Sequence, residues 1–199
     1  MATDLAIIDG GGANIASLTF ALGRLGVNAE LTTDKNVIGS ASHVILPGVG
    51  AAEDAMDRLE RAELTGFIKD LKQPVLGICL GMQLLFEASE EDSASCLGIM
   101  PGTATRFSAA PGRPVPHMGW NKLQQTKESR LFNGIPDGAH FYFVHSYALP
   151  VNEATIGTAD YGGAFAAVAE YKNFCAAQFH PERSGEWGAK LIENFLTLY

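Results

Sequence analysis

Pro74-Val-Leu-Gly-Ile-Cys-Leu-Gly-Met-Gln83 sets a single cysteine between an apolar strand and an apolar helix, with a glycine two residues to either side. That spacing describes a nucleophile elbow. A strand that runs straight into a helix must reverse within a residue or two, and Gly77 and Gly81 remove the side chains that would collide in the reversal. Cys79 is therefore expected at the crest of the turn, above the sheet edge, with the N-terminal end of a helix behind it to favour the thiolate.

Outward from the elbow, the chain alternates strands and helices. Leu5-Ala-Ile-Ile8 reads as a short apolar strand ending at Asp9, followed by the run Gly10-Gly-Gly12. Asn14 can cap a helix in which Ile15, Leu18, Leu22 and Leu25 recur at helical spacing. Val44-Ile-Leu46 is the next clear strand, stopped by Pro47. Residues 51–72 carry Met56, Leu59, Leu64, Phe67, Ile68 and Leu71 on one side of a helical pattern, and the strand Val75 to Ile78 follows. Uninterrupted apolar strands in this rhythm predict a parallel sheet covered on both faces.

Beyond residue 98 the runs shorten and are separated by proline and glycine turns: Ala139 to Leu149, Ala164 to Tyr171 and Phe174 to Phe179, the last two linked by Lys172-Asn173 as a tight hairpin. A final helix from Trp187 to Leu198 places Ala189, Leu191, Ile192, Phe195 and Leu196 on or near one face. Ser89-Glu-Glu-Asp-Ser93 is the most polar connection and is expected as a solvated loop. The fold class expected is α/β: a three-layer, flavodoxin-like or Rossmann-like, mostly parallel sheet with a C-terminal antiparallel extension.

Composition sets the outer bounds. At 199 residues, 47% hydrophobic and 18% charged, the chain suits one domain over residues 1–199 with a full core. A net charge of −8 argues against nucleic acid as a partner, because backbone binding needs clustered Lys and Arg. No apolar run approaches a membrane span and the N-terminus has no signal-peptide pattern, so a cytoplasmic protein without membrane contact is expected. Three cysteines make no disulfide framework and suit a reducing compartment.

A nucleophilic cysteine needs a base, and of the five histidines His180 is best placed. It closes the strand Ala176-Ala-Gln-Phe179, and open α/β sheets place their sites at such strand ends. Pro181 restricts His180 to extended backbone, and two residues further on Glu182 can face the same way and fix the ring's tautomer. Cys79, His180 and Glu182 in nucleophile, base and orienting roles make an acyl-transfer site. The N–H of Leu80 would supply one oxyanion donor, and Pro47-Gly-Val-Gly50 a second from Val49 or Gly50. Gln83, one helical turn past Cys79, can read the amide or amino-acid end of a substrate. Cys96 and Cys175 lack such partners and read as packing residues; His43, His117 and His140 look more structural than catalytic, and His145, inside Phe141-Tyr-Phe-Val-His-Ser-Tyr147, is left open between the two. No paired Cys-x-x-Cys or His-Glu-x-x-His is present, so neither a metal nor any other cofactor is expected, and the glycine run after the first strand lacks the spacing of a dinucleotide fingerprint.

Gly77-Ile-Cys-Leu-Gly-Met-Gln83 with His180-Pro-Glu182 resembles the nucleophile, base and orienting segments of the class I, triad-type glutamine amidotransferases. Pro47-Gly-Val-Gly50, Pro116-His-Met-Gly-Trp-Asn121, Tyr142-Phe-Val-His-Ser-Tyr147 and His180-Pro-Glu-Arg-Ser-Gly185 are similar to the branch serving imidazole glycerol phosphate synthases. The resemblance covers essentially the whole chain. It implies hydrolysis of L-glutamine through a cysteinyl thioester, with Gly48, Gln83, His145, Ser146 and Tyr147 at the substrate. It also implies a (βα)8-barrel cyclase subunit as heterodimer partner, which receives the ammonia and converts a phosphoribulosyl formimino carboxamide ribotide. Met118, Trp120 and Asn121 would lie at that interface, and Tyr142 and Arg183 at the mouth of the ammonia path. In the pattern of that branch a tyrosine commonly stands where Gly10 does, and a lysine where Arg183 does; arginine keeps the charge but changes the geometry of any ion pair. The triad alone leaves open a glutaminase subunit of another synthase, or a non-catalytic scaffold.

Overall fold

The first apolar run forms β1 (Leu5–Ile8) in a computed structural model that describes residues 5–11 and 15–199. Gly12 and Asn14, expected in a glycine run and as a helix cap, lie outside the described residues. Successive side chains of β1 enter opposite faces: Leu5 and Ile7 join one apolar core, Ala6 and Ile8 the other. The first half continues through α1 (Ile15–Arg24), β2 (Ala29–Thr32), α2 (Lys35–Ser40), β3 (His43–Gly48), α3 (Ala52–Arg61), α4 (Leu64–Asp70), β4 (Val75–Cys79) and α5 (Leu80–Leu84).

Neither β2 nor α2 is expected from apolar patterning. β2 is the sheet's edge strand with no fully buried residue, and α2 buries only Ile38, so neither carries an apolar run. Asp34 starts α2 by accepting the Asn36 N–H at 2.7 Å. The helical pattern over 51–72 is in fact two helices. The chain leaves α3 at Ala62, and Glu63 takes a left-handed φ of 54° before α4 begins. Leu59, Leu64 and Ile68 still reach the same core, so the apolar spacing persists through the break.

The second half comprises β5 (Ala88–Ser89), β6 (Ala94–Ser95), β7 (Thr103–Arg106), β8 (His117–Lys122), β9 (Gln124–Gln125), β10 (His140–His145), β11 (Tyr147–Ala148), β12 (Thr155–Asp160), β13 (Ala164–Tyr171), β14 (Phe174–Ala177) and α6 (Gly185–Leu198). The main sheet has eight strands in the order β2-β1-β3-β4-β14-β13-β12-β9. Strands β2 through β14 in that order are parallel, and β13, β12 and β9 continue antiparallel. This is the α/β class with the antiparallel extension expected. The run Ala139 to Leu149 is not one strand: it divides at Ser146, with β10 pairing to β8 and β11 to β7 in a different sheet. The run Phe174 to Phe179 is shorter than expected, since β14 stops at Ala177.

One face of the sheet is covered by α1 and α6 through Leu18, Leu22, Leu191, Ile192 and Phe195, the other by α2 to α5 through Ile38, Leu59, Leu64, Ile68 and Leu80. Each such side chain contributes about 1.5–3 kcal/mol on burial. The site depends on register. Gly48 pairs with Cys79 across β3 and β4, and Ala177 with Ile78 across β14 and β4, so three parallel strands end together at one edge.

At that edge α5 begins directly after β4 and lies against β3. A Cβ on Gly81 would stand 1.8 Å from the Leu46 carbonyl oxygen, whereas one on Gly23, on the exposed side of α1, meets nothing within 4 Å. Gly81→Ala is expected to lower the unfolding free energy by about 3 kcal/mol through overpacking against backbone. Gly23→Ala should raise it by about 0.5–1 kcal/mol. Urea unfolding of the two variants measures both; equal stabilities would contradict the packing described.

Candidate active site

Cys79 ends β4 with φ 55° and ψ −112°, a conformation that a side-chain-bearing residue rarely adopts. Its Sγ sits 3.8 Å from the Val144 carbonyl oxygen and 3.8 Å from Gln178 Nε2. From the neighbouring strand end, His180 lines the same cleft as Cys79, close enough for the two side chains to influence each other. The ring's Nδ1 donates to Glu182 Oε1 at 2.8 Å. Sequence spacing anticipates this pair, but the route differs from extended alternation. Pro181–Arg183 is a 3₁₀ turn, and Glu182 swings round within it.

The turn is fastened at both ends. The His180 N–H donates to the Tyr142 carbonyl at 2.9 Å, and Ser184 Oγ donates to the His180 carbonyl at 2.7 Å while accepting the Tyr142 N–H at 2.9 Å. Burial alone would lower the His180 pKa, but hydrogen bonds to Cys79 and Glu182 and their negative charge outweigh it and hold it well above the ordinary imidazole value. The arrangement favours the imidazolium form of His180, with Glu182 setting the ring orientation.

Cys79 and His180 open onto a cleft of about 380 Å³. Val49, Gly50 and Leu80 line it beside Cys79, where oxyanion donors are expected. Gly48 lies behind them in β3, and a Cβ there would come within 2.9 Å of the Gly81 nitrogen. Gln83, His145, Ser146 and Tyr147 form another part of the lining. The Gln83 amide nitrogen already donates to the Tyr147 carbonyl and to Gln178 Oε1, both at 3.0 Å, so its carbonyl oxygen is the group left to offer. The His145 ring is likewise committed, with Nδ1 2.8 Å from the Tyr147 carbonyl and Nε2 3.0 Å from His117 Nδ1.

Glu91 also lines the cleft, and sequence reasoning missed it. The segment expected as a solvated loop, Ser89 to Ser93, is tied down: Ser89 is buried in β5, the Glu91 N–H donates to Ser89 Oγ, and Glu90 Oε2 accepts the Arg106 N–H. Glu91 Oε2 accepts the Ala52 N–H at 3.0 Å, at the positive end of α3. Burial is the main cause raising its pKa, and no cation pairs with it among the described residues. No local pattern distinguishes Glu91 from its acidic neighbours.

The residues expected at a partner face divide. Met118 and Trp120 project outward from β8, 63% and 56% exposed, and the Trp120 ring meets Tyr142 edge-on at 6.1 Å. Arg183 is exposed beside Glu182. Asn121 does not join them: its amide turns to the other face of β8, donating to the Asp160 carbonyl at 2.8 Å and lying 3.4 Å from His117 Nε2. Cys96 and Cys175 are free thiols away from the cleft, and burial pushes Cys96 up to about 11 and Cys175 upward as well. Among the described residues there is no cluster able to hold a metal ion, and no helix is long and apolar enough to cross a membrane.

Known proteins share this construction. Relatives named "Imidazole glycerol phosphate synthase subunit HisH" from Xanthomonas axonopodis pv. citri and Xylella fastidiosa (strain Temecula1) are each 50% identical over 196 residues, covering 98% of this chain and 98% of the relative. Among solved structures, one described as a glutamine amidotransferase superposes with TM-score 0.75 at 16% identity, over 98% of this chain and 97% of its own. A glutamine amidotransferase from Thermotoga maritima superposes with TM-score 0.66 at 18% identity, over 96% and 81%. A family profile described as "Glutamine amidotransferase class-I" matches residues 6–198. Because that match runs from the first strand to the last helix, the chain belongs to the class-I glutamine amidotransferase family.

Proposed function

We propose that the chain is the glutamine-hydrolysing subunit of an imidazole glycerol phosphate synthase. The observation carrying this is Cys79 and His180 opening onto one cleft of amino-acid size, with Glu182 bonded to the His180 ring, in a chain matched over 98% of its length by relatives of that name. In the reaction, the Cys79 thiolate adds to the side-chain amide carbon of glutamine. The negative charge moving to the amide oxygen is met by the Leu80 N–H and a donor from Val49 or Gly50. His180 passes its proton to the amide nitrogen, the C–N bond breaks, and ammonia leaves a glutamyl thioester. Water then gives a proton back to His180 and displaces the thiolate, releasing glutamate.

The rest of the cleft would hold the amino-acid end. Glu91, half-buried and without a cation, suits the α-ammonium group, and the Gln83 carbonyl oxygen can accept a further hydrogen bond. Ammonia needs shelter, because bulk water at neutral pH converts it to ammonium, which is no nucleophile. A (βα)8-barrel cyclase subunit docked over Met118, Trp120, Tyr142 and Arg183 would supply that shelter and consume the ammonia. Exposed aromatic side chains are frequent anchors at such contacts.

Mixing the protein with a cyclase barrel and its ribotide substrate tests the assignment. Cys79→Ala should cut glutamine-dependent product formation by about 10³-fold or more. Synthesis from added ammonium salt should continue at the unaltered rate, and undiminished glutamine turnover in the variant would refute the proposal. Glu91→Gln keeps the shape of the side chain and its bond to Ala52 but removes the charge. Its KM for glutamine should rise about 10-fold or more with kcat little changed, as read from steady-state kinetics.

A further inference from the structure

At the cleft wall, two imidazoles face each other across β8 and β10, with His145 in the lining and His117 directly paired to it from behind. Neither is exposed beyond 6%. Phe143 and Tyr161 stack on His117 with centroids at 5.1 and 4.0 Å, and Phe107 and Phe165 close round His145 at 5.3 and 5.2 Å. No carboxylate bonds either ring among the described residues, and burial lowers His117 to about 4 and His145 to about 3. Both rings are therefore neutral at physiological pH.

A neutral imidazole has one donor and one acceptor, so the direction of every bond in the chain follows. The Tyr147 carbonyl can only accept, which places the His145 proton on Nδ1, 2.8 Å away. His145 Nε2 must then accept from His117 Nδ1–H at 3.0 Å, and His117 Nε2 accepts from the Asn121 amide at 3.4 Å. The same Tyr147 carbonyl receives the Gln83 amide at 3.0 Å. His117 thus stands two hydrogen bonds behind the part of the wall that Gln83 and Tyr147 share, and it does not itself line the cleft.

We propose that His117 is a positioning residue for glutamine: by donating to His145 it fixes the Tyr147 carbonyl, and through it the Gln83 amide, in the arrangement that receives the substrate's amino-acid end. Without that donor the buried Nε2 of His145 loses its partner. The ring can then satisfy itself only by changing tautomer or turning, and either releases the Tyr147 carbonyl. The inference rests on the cleft being a glutamine site, and the test separates the two.

The test follows alkylation of Cys79 by mass spectrometry in the full chain, using a diazoketone analogue of glutamine and, separately, iodoacetamide. Replacing His117 by Phe keeps an aromatic ring in the stack but removes the donor. His117→Phe should slow reaction with the analogue by about 10-fold, the cost of an unsatisfied buried acceptor, with the iodoacetamide rate unchanged. His117→Asn, whose Nδ2–H falls where Nδ1–H was, should restore most of the rate with the analogue. An unaltered analogue rate in His117→Phe overturns the proposal, and so does equal slowing with both reagents. If that variant does not fold, ¹⁵N NMR of histidine-labelled native protein decides: His145 as the Nδ1–H tautomer supports the chain of bonds, and Nε2–H or a protonated ring at neutral pH overturns it. Native protein that reacts with iodoacetamide but not with the analogue would defeat the glutamine assignment itself.

Discussion

The first turn of α5 lies so close to β3 that no methyl group fits between them. Gly81 faces the Leu46 carbonyl at a distance where a Cβ would overlap it, and Gly48 returns the constraint from the other side by leaving room for the Gly81 nitrogen. This approach brings the end of β3 beside the end of β4, so Val49, Gly50 and Leu80 share one side of the Cys79 sulfur. It also obliges Cys79 to take a positive φ, a strain of about 1–3 kcal/mol that persists only where the surroundings enforce it. Here they do: every residue of β4 is buried between two helical layers.

Around that elbow the protein drives histidine protonation in opposite directions within one cleft. His180 is raised, because the charges and hydrogen bonds of Cys79 and Glu182 exceed the effect of burial. His145, also lining the cleft, is lowered, because aromatic rings and a neutral imidazole surround it. One ring is thereby kept ready to carry a proton and the other kept from doing so, as acid–base sites require. The overall charge of −8 has no part in this. What lines the cleft is local: Glu91, Gln83 and, beside Cys79, the chain at Val49, Gly50 and Leu80.

What could be read in advance was short in range. Gly77, Cys79 and Gly81 lie within one turn of chain, and His180 and Glu182 within another, so their relation is fixed by local backbone geometry. Even there, spacing implied the contact while misjudging its cause, since a 3₁₀ turn and not an extended segment brings Glu182 to the ring. Glu91 was invisible because its position comes from β5 joining β7 and from the distant Ala52 N–H. The resemblance groups Asn121 with Met118 and Trp120 at a partner interface, and it cannot show that strand alternation in β8 sends Met118 and Trp120 outward and His117 and Asn121 inward.

By itself, the order of residues determined the layered α/β plan, the elbow and the histidine–carboxylate pair, because apolar period and turn chemistry act over a few neighbouring residues. Tertiary structure alone decided which strands end side by side, which acidic side chain enters the cleft and which histidines are locked neutral. Those outcomes depend on sheet register and burial between segments far apart in the chain, and no local spacing carries that information.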